Sequence, residues 1–329
     1  MITLRLITAL SGIYFSSAAV LQPAQSLAQA NPATVPALPA EVLNQQTTNG
    51  SLVVLQQPRP PERWDTASLS HINLTAPIRF NCVCDERRFG RDLNPRSCLD
   101  AWTRIPAIER ELSFGPRRRT DRDPTYDVYL PKRYLSPDGT CAIEPRIRPG
   151  MMSARAKPTD AGLAALGIIR HCASDGIPPT GGFANNFGGD NNLGVAVKLF
   201  KSEAECGTGT FSPSFLQSCN SLADRMPATA TNSTFGSSWT HPQYKTPFDW
   251  KSPDGMCHAR INVRSTQVRK GSWYRLWEAV IAINAVCISV GKGGIWHGLS
   301  DDDDLSISVW AEDPLSALAY GNVTLVSTS

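Results

Sequence analysis

The sequence predicts an α+β protein made of two tandem, disulfide-stabilised α/β sandwich modules, each an antiparallel sheet covered by helices. Three observations lead to this fold class. The pattern Ser-Pro-Asp-Gly-x-Cys occurs at residues 136–141 and again at residues 252–257. Cysteines around the two copies recur at nearly equal spacings. The apolar residues also change between helical and alternating spacing in the same order, as expected for one unit present twice.

The cysteine spacing defines the repeated unit. Cys98 and Cys219 are each followed by a proline after eight residues and by Phe-Gly after sixteen. The disulfide candidates are Cys84, Cys98, Cys141 and Cys172 in the first copy and Cys206, Cys219, Cys257 and Cys287 in the second. Either Cys82 or Cys84 is left over. Because four cysteines allow three pairings, the spacing leaves the connectivity within each set open.

Each copy begins with a short helix and continues into a strand. The helices cover residues 98–105 and 219–226, and each ends before a proline. The Ser-Pro-Asp-Gly sequence predicts a turn, because proline presets φ and glycine accepts a positive φ. Apolar residues then alternate over residues 141–147 and 257–263, which predicts strands. Pro145 interrupts the first alternation and indicates a bulge or an edge position.

A second helix and a closing strand complete each copy. Residues 160–172 and 272–287 are apolar at helical spacing, with Asp160 and Ser272 as the expected N-caps. A Gly-Gly loop follows each helix and leads to an alternating apolar strand. Each module is therefore expected to run in the order αββαβ.

Five parts of the chain are predicted. They are a signal peptide at 1–30, a flexible leader at 31–80, the first module at 81–202, the second module at 203–313 and a C-terminal tail at 314–329. The first part has one arginine, an apolar run and a final Ala-Gln-Ala, which is typical of a cleaved secretory signal. The leader is rich in proline and glutamine, a composition that resists packing. No other stretch approaches the ~20 apolar residues that span a bilayer, so we expect no membrane span.

Composition and charge narrow the classes of function. The formal net charge of +3 becomes +2 once the signal peptide is removed, which is too small to indicate a nucleic-acid partner. Nine cysteines without a Cys-x-x-Cys pair indicate disulfides in an exported protein rather than a zinc or redox site. The glycosylation candidates are Asn49, Asn73, Asn232 and Asn322. The sequence thus predicts a secreted, extracellular glycoprotein without a cofactor.

Catalytic residue types do not recur at matched positions of the two copies. His171 aligns with Val286 and His258 with Ala142, and His297 has no partner. The aspartates of the two Ser-Pro-Asp-Gly turns do match, but the turn itself explains them. No catalytic residue is therefore assigned, although divergence after duplication would leave these histidines as candidates in a single copy.

Two loops of the second module supply the binding candidates. Asp301, Asp302, Asp303 and Asp304 form an oxygen-rich run of the kind that holds Ca²⁺. No glutamate follows at the EF-hand position, so a solvated loop is the preferred interpretation and no metal is assigned. Trp296 lies in a glycine-rich loop, where an exposed aromatic ring could grip a sugar or a protein.

The ordered set of cysteine helix, Phe-Gly, Asp-Gly-x-Cys strand, helix ending in cysteine, Gly-Gly loop and closing strand resembles a broad group of fungal small secreted proteins. It is more distantly similar to Ecp2-type effector domains and KP4-type killer toxins. The resemblance covers residues 84–202 and 206–312. It implies a compact disulfide-bonded α/β sandwich, secretion, a fungal source and interaction with a host or competitor. The tandem arrangement and the cysteine-free tail depart from the usual single-domain form.

The leading functional hypothesis is a secreted, non-enzymatic protein that acts by binding an extracellular glycan or protein. Its role would be effector-like, toxin-like or associated with the cell wall. The alternative is a secreted hydrolase with its site in the cleft between the modules, where polar groups converge without recurring at matched positions.

Overall fold

The computed structural model describes residues 81–117, 123–208 and 210–312, apart from the side chain of Ser238. All these residues belong to one compact unit. The predicted signal peptide, leader and tail lie outside the described residues, as do the glycosylation candidates Asn49, Asn73 and Asn322.

The α+β class is confirmed, with mainly antiparallel sheets packed against helices. The strands of the first module are β1 (Cys82–Cys84), β2 (Leu112–Pro116), β3 (Val128–Leu130), β4 (Tyr134–Leu135), β5 (Cys141–Ile147), β6 (Ala154–Ala156), β7 (Gly182–Phe187) and β8 (Leu193–Leu199). Those of the second are β9 (Glu205–Cys206), β10 (Asn232–Gly236), β11 (Tyr244–Lys245), β12 (Phe248–Lys251), β13 (Cys257–Val263), β14 (Arg269–Ser272), β15 (Gly294–Trp296) and β16 (Leu305–Ala311).

Two helices occupy corresponding places in each module, and the first module has one more short helix near its start. The helices are α1 (Glu86–Phe89), α2 (Pro95–Trp102) and α3 (Pro158–Ile168) in the first module, and α4 (Leu216–Arg225) and α5 (Trp273–Val286) in the second. A π-helical turn, Ile169–Ser174, extends α3, and short 3₁₀ turns lie at Pro213–Phe215, Ser238–Thr240 and Ile288–Val290.

Each module has one five-stranded and one three-stranded sheet, with the same strand order in both. The five-stranded sheets run β1-β7-β8-β5-β4 and β9-β15-β16-β13-β12, and the three-stranded sheets run β3-β2-β6 and β11-β10-β14. Only the β2–β3 and β10–β11 pairs among these are parallel. The predicted order αββαβ was incomplete, because it lacked the short strands at the sheet ends and the interior strands β7 and β15. Strands of two to four residues are too short to show an alternating pattern, and β7 and β15 begin at the Gly-Gly pairs that were predicted to be loops.

All eight predicted disulfide cysteines are paired, and every bridge lies within its own module. Cys84–Cys172 and Cys206–Cys287 join the first strand of each module to the end of its long helix. Cys98–Cys141 and Cys219–Cys257 join the short helix to the strand after the Ser-Pro-Asp-Gly turn. Among the described residues, the one free cysteine is Cys82.

The local predictions had mixed outcomes. Ser272 is the N-cap of α5, and its hydroxyl accepts a hydrogen bond from the backbone N–H of Arg275. Asp160 is not an N-cap, because α3 begins earlier, at Pro158, where the fixed φ of proline suits the first helical position. Pro145 causes no shift of register against β8, but β4 covers only Ala142 and Ile143 on the other side of β5. The edge interpretation of Pro145 is therefore right.

The packing joins the two modules. Leu135, Ala142 and Phe200 of the first module are buried in the same core cluster as helix α5 of the second. One described helical segment, Trp273–Val290, is long and apolar enough to cross a membrane by length and composition alone, but 67% of it is buried inside the protein. That segment includes α5, so it serves as the central core helix of the second module.

Candidate functional site

A buried ion-pair network lies where the two modules meet. Arg133 directly precedes β4. Its side chain is 0% exposed, and its Nε donates to Oε1 of Glu144 on β5 at 2.6 Å. The same guanidinium donates to Glu278 and to the hydroxyl of Tyr274, both on α5, the latter at 3.0 Å. A buried cation needs this number of acceptors to offset its loss of hydration. The network therefore fixes α5 of the second module against the sheet of the first.

Glu144 is surrounded by cations. Besides Arg133, it pairs with Nζ of Lys198 at 2.7 Å and with a guanidinium nitrogen of Arg146 at 2.8 Å. Burial alone would raise the pKa of Glu144, but the charges of Arg133 and Lys198 outweigh burial and lower it to about 2. This carboxylate is consequently ionised and fully engaged at neutral pH.

A second group of cations holds the end of helix α4. Arg117 donates to the backbone carbonyls of Ala223 at 3.1 Å and Met226 at 3.0 Å, and also to that of Asp224. Lys132 pairs with both carboxylate oxygens of Asp224, at 2.7 and 2.8 Å. Cations favour a helix C-terminus because its carbonyls are unsatisfied and its dipole is negative there. Burial lowers the pKa of Arg117, in spite of the opposing charge of Asp224.

A cleft of about 530 Å³ opens between these two groups of cations. The residues that line it are Pro116, Leu130, Pro131, Lys132, Glu144, Pro145, Arg146, Ile147, Met151, Met152 and Tyr274. We call it the intermodule cleft, since Tyr274 belongs to the second module and the other residues to the first. Its volume lies in the usual range for small-molecule sites.

The two modules differ at the sheet edge that lines the intermodule cleft. In the second module, β12 pairs with four residues of β13. In the first, β4 pairs with only two residues of β5. The edge of β5 is thus uncovered from Pro145 onward, and proline is tolerated there because no partner strand needs its N–H.

Among the residues that line the cleft, four side chains can titrate. Glu144 has its low pKa, and Lys132 and Arg146 are ion-paired. Burial raises the pKa of Tyr274, an effect that Arg133 opposes only in part. General acid–base catalysis works best with a group whose pKa lies near the operating pH. Within the lining, Glu144 is thus held as a carboxylate and Tyr274 as a neutral hydroxyl at neutral pH.

Trp296 is not an exposed aromatic residue, so the prediction of an accessible ring is wrong. The side chain is 8% exposed and lies at the interface of the modules, with its ring centroid 6.4 Å from that of Phe200. Its loop is glycine-rich, but the short strand β15 directs this residue into the core. The glycines on both sides of Trp296 indicated an exposed loop, and this led to the wrong prediction.

Two carboxylates of the aspartate run at residues 301–304 are ion-paired with an arginine of the same module. Arg269 on β14 forms ion pairs with Asp302 and Asp304 through its two terminal nitrogens. Asp302 also accepts a hydrogen bond from the hydroxyl of Ser300 at 2.8 Å. Within residues 81–117, 123–208 and 210–312, no group of three or more His, Cys, Asp or Glu side chains is placed to hold a metal ion.

The histidines considered from the sequence lie in separate surroundings. The ring of His258 stacks on Trp310, with Nε2 3.5 Å from a carboxylate oxygen of Glu312. His297 lies 2.9 Å from a guanidinium nitrogen of Arg264, and His171 is exposed. None of these contacts brings a histidine to a hydroxyl or thiol nucleophile, as a triad requires.

The matched aspartates of the Ser-Pro-Asp-Gly turns have a structural role in both modules. Asp138 accepts hydrogen bonds from the hydroxyls of Ser97 and Ser136, and Asp254 accepts them from those of Ser218 and Ser252. Burial alone would raise the pKa of either carboxyl, but these hydrogen bonds outweigh it and lower both pKa values. Each aspartate ties its turn to the short helix beside a disulfide.

Sequence reasoning missed the network of Arg133 and Glu144, although a signal exists. Arg133 lies three residues before its turn and Glu144 three residues after Cys141. At the same offsets the second module has Asp249 and Arg260, which form an ion pair with the charges reversed. A charge pair exchanged between matched positions of a repeat indicates that the two side chains touch.

Comparison with solved structures finds similarities that include two plant receptor ectodomains. The tandem DUF26 ectodomain of the Arabidopsis thaliana cysteine-rich receptor-like protein PDLP8 matches 72% of this chain and 100% of its own, at 6% identity and a TM-score of 0.20. The corresponding ectodomain of PDLP5 matches 71% and 98%, at 9% identity and a TM-score of 0.18. At such TM-scores neither match supports a statement about fold or function. No family model and no curated protein matches the sequence. The expected similarity to Ecp2-type and KP4-type proteins receives no support from these comparisons.

Proposed function

We propose that this protein is a secreted, non-enzymatic binding protein that takes an extracellular glycan or protein into the intermodule cleft. The observation that carries the proposal is the cleft itself. It is concave, it lies at the junction of two modules, and it combines apolar walls with a few fixed charges. Binding sites in proteins typically have this composition and this position.

The disulfides support an extracellular place of action. Four bridges hold two modules of about 110 residues each, and such bridges persist in oxidising compartments. Within that setting, the role that we propose is effector-like, toxin-like or associated with a cell wall.

Hydrolysis in the same cleft is the alternative, and the chemistry of the lining favours it less. A hydrolase would need an acid or a base that exchanges protons near neutral pH. Glu144 is held ionised by three cations, Lys132 and Arg146 are ion-paired, and burial raises the pKa of Tyr274.

The test compares one variant at the cleft with one elsewhere. Met152 lines the cleft and is 76% exposed, whereas Ile177 is 99% exposed and is not part of the lining. Met152→Arg should abolish binding of any glycan or protein identified on arrays, and Ile177→Arg should leave it unchanged. The same preparations are assayed for release of product from wall polysaccharide, RNA and peptide substrates. Turnover by the wild type, or binding that persists in Met152→Arg, would contradict the proposal.

A further inference from the structure

The charges around the intermodule cleft are balanced except at Arg146. Glu144 is already paired with three cations and has no capacity left for a cationic ligand. Lys132 is held by Asp224. The side chain of Arg146 is 41% exposed and donates through one guanidinium nitrogen to Glu144. Since a guanidinium has five N–H donors in a rigid fork, Arg146 can also take a carboxylate from a ligand.

The apolar part of the cleft is adaptable and open. Met151 and Met152 lie in the turn between β5 and β6 and are both exposed large apolar residues. Methionine is flexible and polarizable, and it is common on surfaces that accept varied apolar side chains. Together with Ile147 and Leu130 they form an apolar surface next to the Arg146 guanidinium.

The uncovered edge of β5 favours an extended occupant. β5 is paired along its whole length with β8 on one side. On the other side β4 pairs only with Ala142 and Ile143, so the later residues of β5 have no partner strand there. An extended peptide can pair with such an edge through main-chain hydrogen bonds, here through the N–H of Ile147 and the carbonyls of Pro145 and Ile147, because Pro145 has no N–H to donate. Residues 145–147 form this edge within the cleft lining.

We infer that the intermodule cleft binds an extended peptide segment of a partner protein, in which an acidic residue lies next to an apolar one. The carboxylate meets Arg146, the apolar side chain meets Met151 and Met152, and the backbone runs along the edge of β5. This inference rests on the proposed function and specifies its ligand.

The experiment uses random octapeptides displayed on phage, panned against the intact wild-type chain. Enriched peptides are synthesised with fluorescein, and their Kd is measured by anisotropy. We expect enriched peptides to carry an acidic residue beside an apolar residue. Arg146→Gln should weaken their affinity about tenfold or more, the scale of a charge-assisted hydrogen bond. Arg148→Gln is the matched control, since Arg148 is exposed and outside the lining, and it should leave Kd within about twofold.

A change in the peptide gives a second measurement that needs no folded variant. Replacing the acidic residue by its amide should weaken binding to the wild type by the same factor as Arg146→Gln. On Arg146→Gln itself, the same replacement should have almost no further effect.

The other outcomes separate the inference from the proposed function. Peptides enriched without an acidic residue, or no enrichment, would overturn the inference. A glycan that binds the wild type and is lost in Met152→Arg would leave the proposed function standing. Peptide binding that is insensitive to both Arg146→Gln and Met152→Arg would contradict both.

Discussion

Each five-stranded sheet has an outer face that is turned away from the helices of its own module. The two outer faces have the same strand order, but one is covered by a helix of the other module and one carries solvent-exposed charges. By strand register and turn position, Arg133, Leu135, Ala142, Glu144, Lys198 and Phe200 in the first module correspond to Asp249, Lys251, His258, Arg260, Trp310 and Glu312 in the second. In the first module α5 covers this face. In the second, the side chains of Asp249 and Arg260 are 43% and 45% exposed.

The residues at the matched positions explain why only one of the two faces is covered. The covered face keeps apolar residues at three of these positions, Leu135, Ala142 and Phe200. The second face has Lys251, His258 and Glu312 in their place, with the ring of His258 buried against Trp310. An exposed apolar patch would recruit another surface, so a sheet face in solvent carries polar residues. The apolar residues of the first face therefore suit it to cover by α5, and the polar residues of the second suit it to solvent.

The largest expected effect is on the free energy of unfolding, when the buried Arg133–Glu144 pair is compared with the exposed Asp249–Arg260 pair. Arg133→Ala leaves Glu144 and Glu278 without their shared cation, in a buried site, and should destabilise the protein by about 3 to 5 kcal/mol. Asp249→Ala, at the matched position, should cost much less because solvent screens the exposed pair. Urea unfolding of both variants measures this contrast. Equal losses would mean that the two faces do not differ in burial.

The pH dependence of stability should follow Glu144. Its pKa is lowered from 4.5 to about 2, so its ion pairs stabilise the folded state above the unfolded pKa of about 4.5. That contribution, roughly 3 kcal/mol, should disappear as the pH falls through the folded value of about 2. Glu144→Gln removes the titration. The stability difference between wild type and variant should therefore shrink from pH 5 to pH 2, and a constant difference over that interval would contradict the assignment.

The smallest expected change in stability comes from replacing two polar residues of the second face by the apolar residues found at the matched positions of the first. Lys251→Leu combined with Glu312→Phe gives the open face the residues of the covered one. Because both positions are on the surface, the free energy of unfolding should change by about 0.5 kcal/mol or less. The new patch beside Trp310 should nevertheless cause concentration-dependent association in sedimentation velocity. A variant that sediments like the wild type at all concentrations would show that these two residues do not keep the face open.

Much of each module could be predicted from the sequence, because local chemistry determines it. The Ser-Pro-Asp-Gly turns, the N-cap at Ser272 and the set of paired cysteines follow from short patterns with a physical cause. The early start of α3 was missed, because the fixed φ of Pro158 was not weighed against the capping preference of Asp160. The two-residue strand β4 carries no pattern, although the intermodule cleft depends on its shortness.

The candidate site was beyond sequence reasoning for a different reason. Trp296 was expected in solvent, but whether a ring is covered depends on the packing of one module against the other. Arg133 and Glu278 are 145 residues apart and meet only when both modules are folded together. No pattern within one module specifies such a contact. The reversed charges at Asp249 and Arg260 were the available sign of it.

Carboxyl footprinting tests the central claim most directly, namely that α5 covers the outer sheet face of the first module while that of the second is open. Carbodiimide coupling to glycine ethyl ester, read by mass spectrometry, reports the accessibility of each carboxylate in the folded, oxidised chain. Glu144 is 10% exposed at its side chain, against 43% for Asp249 and 52% for Glu312. We predict that Asp249 and Glu312 are modified rapidly while Glu144 is protected until the protein unfolds. Modification of Glu144 in the folded protein at the rate of Asp249 would contradict the account.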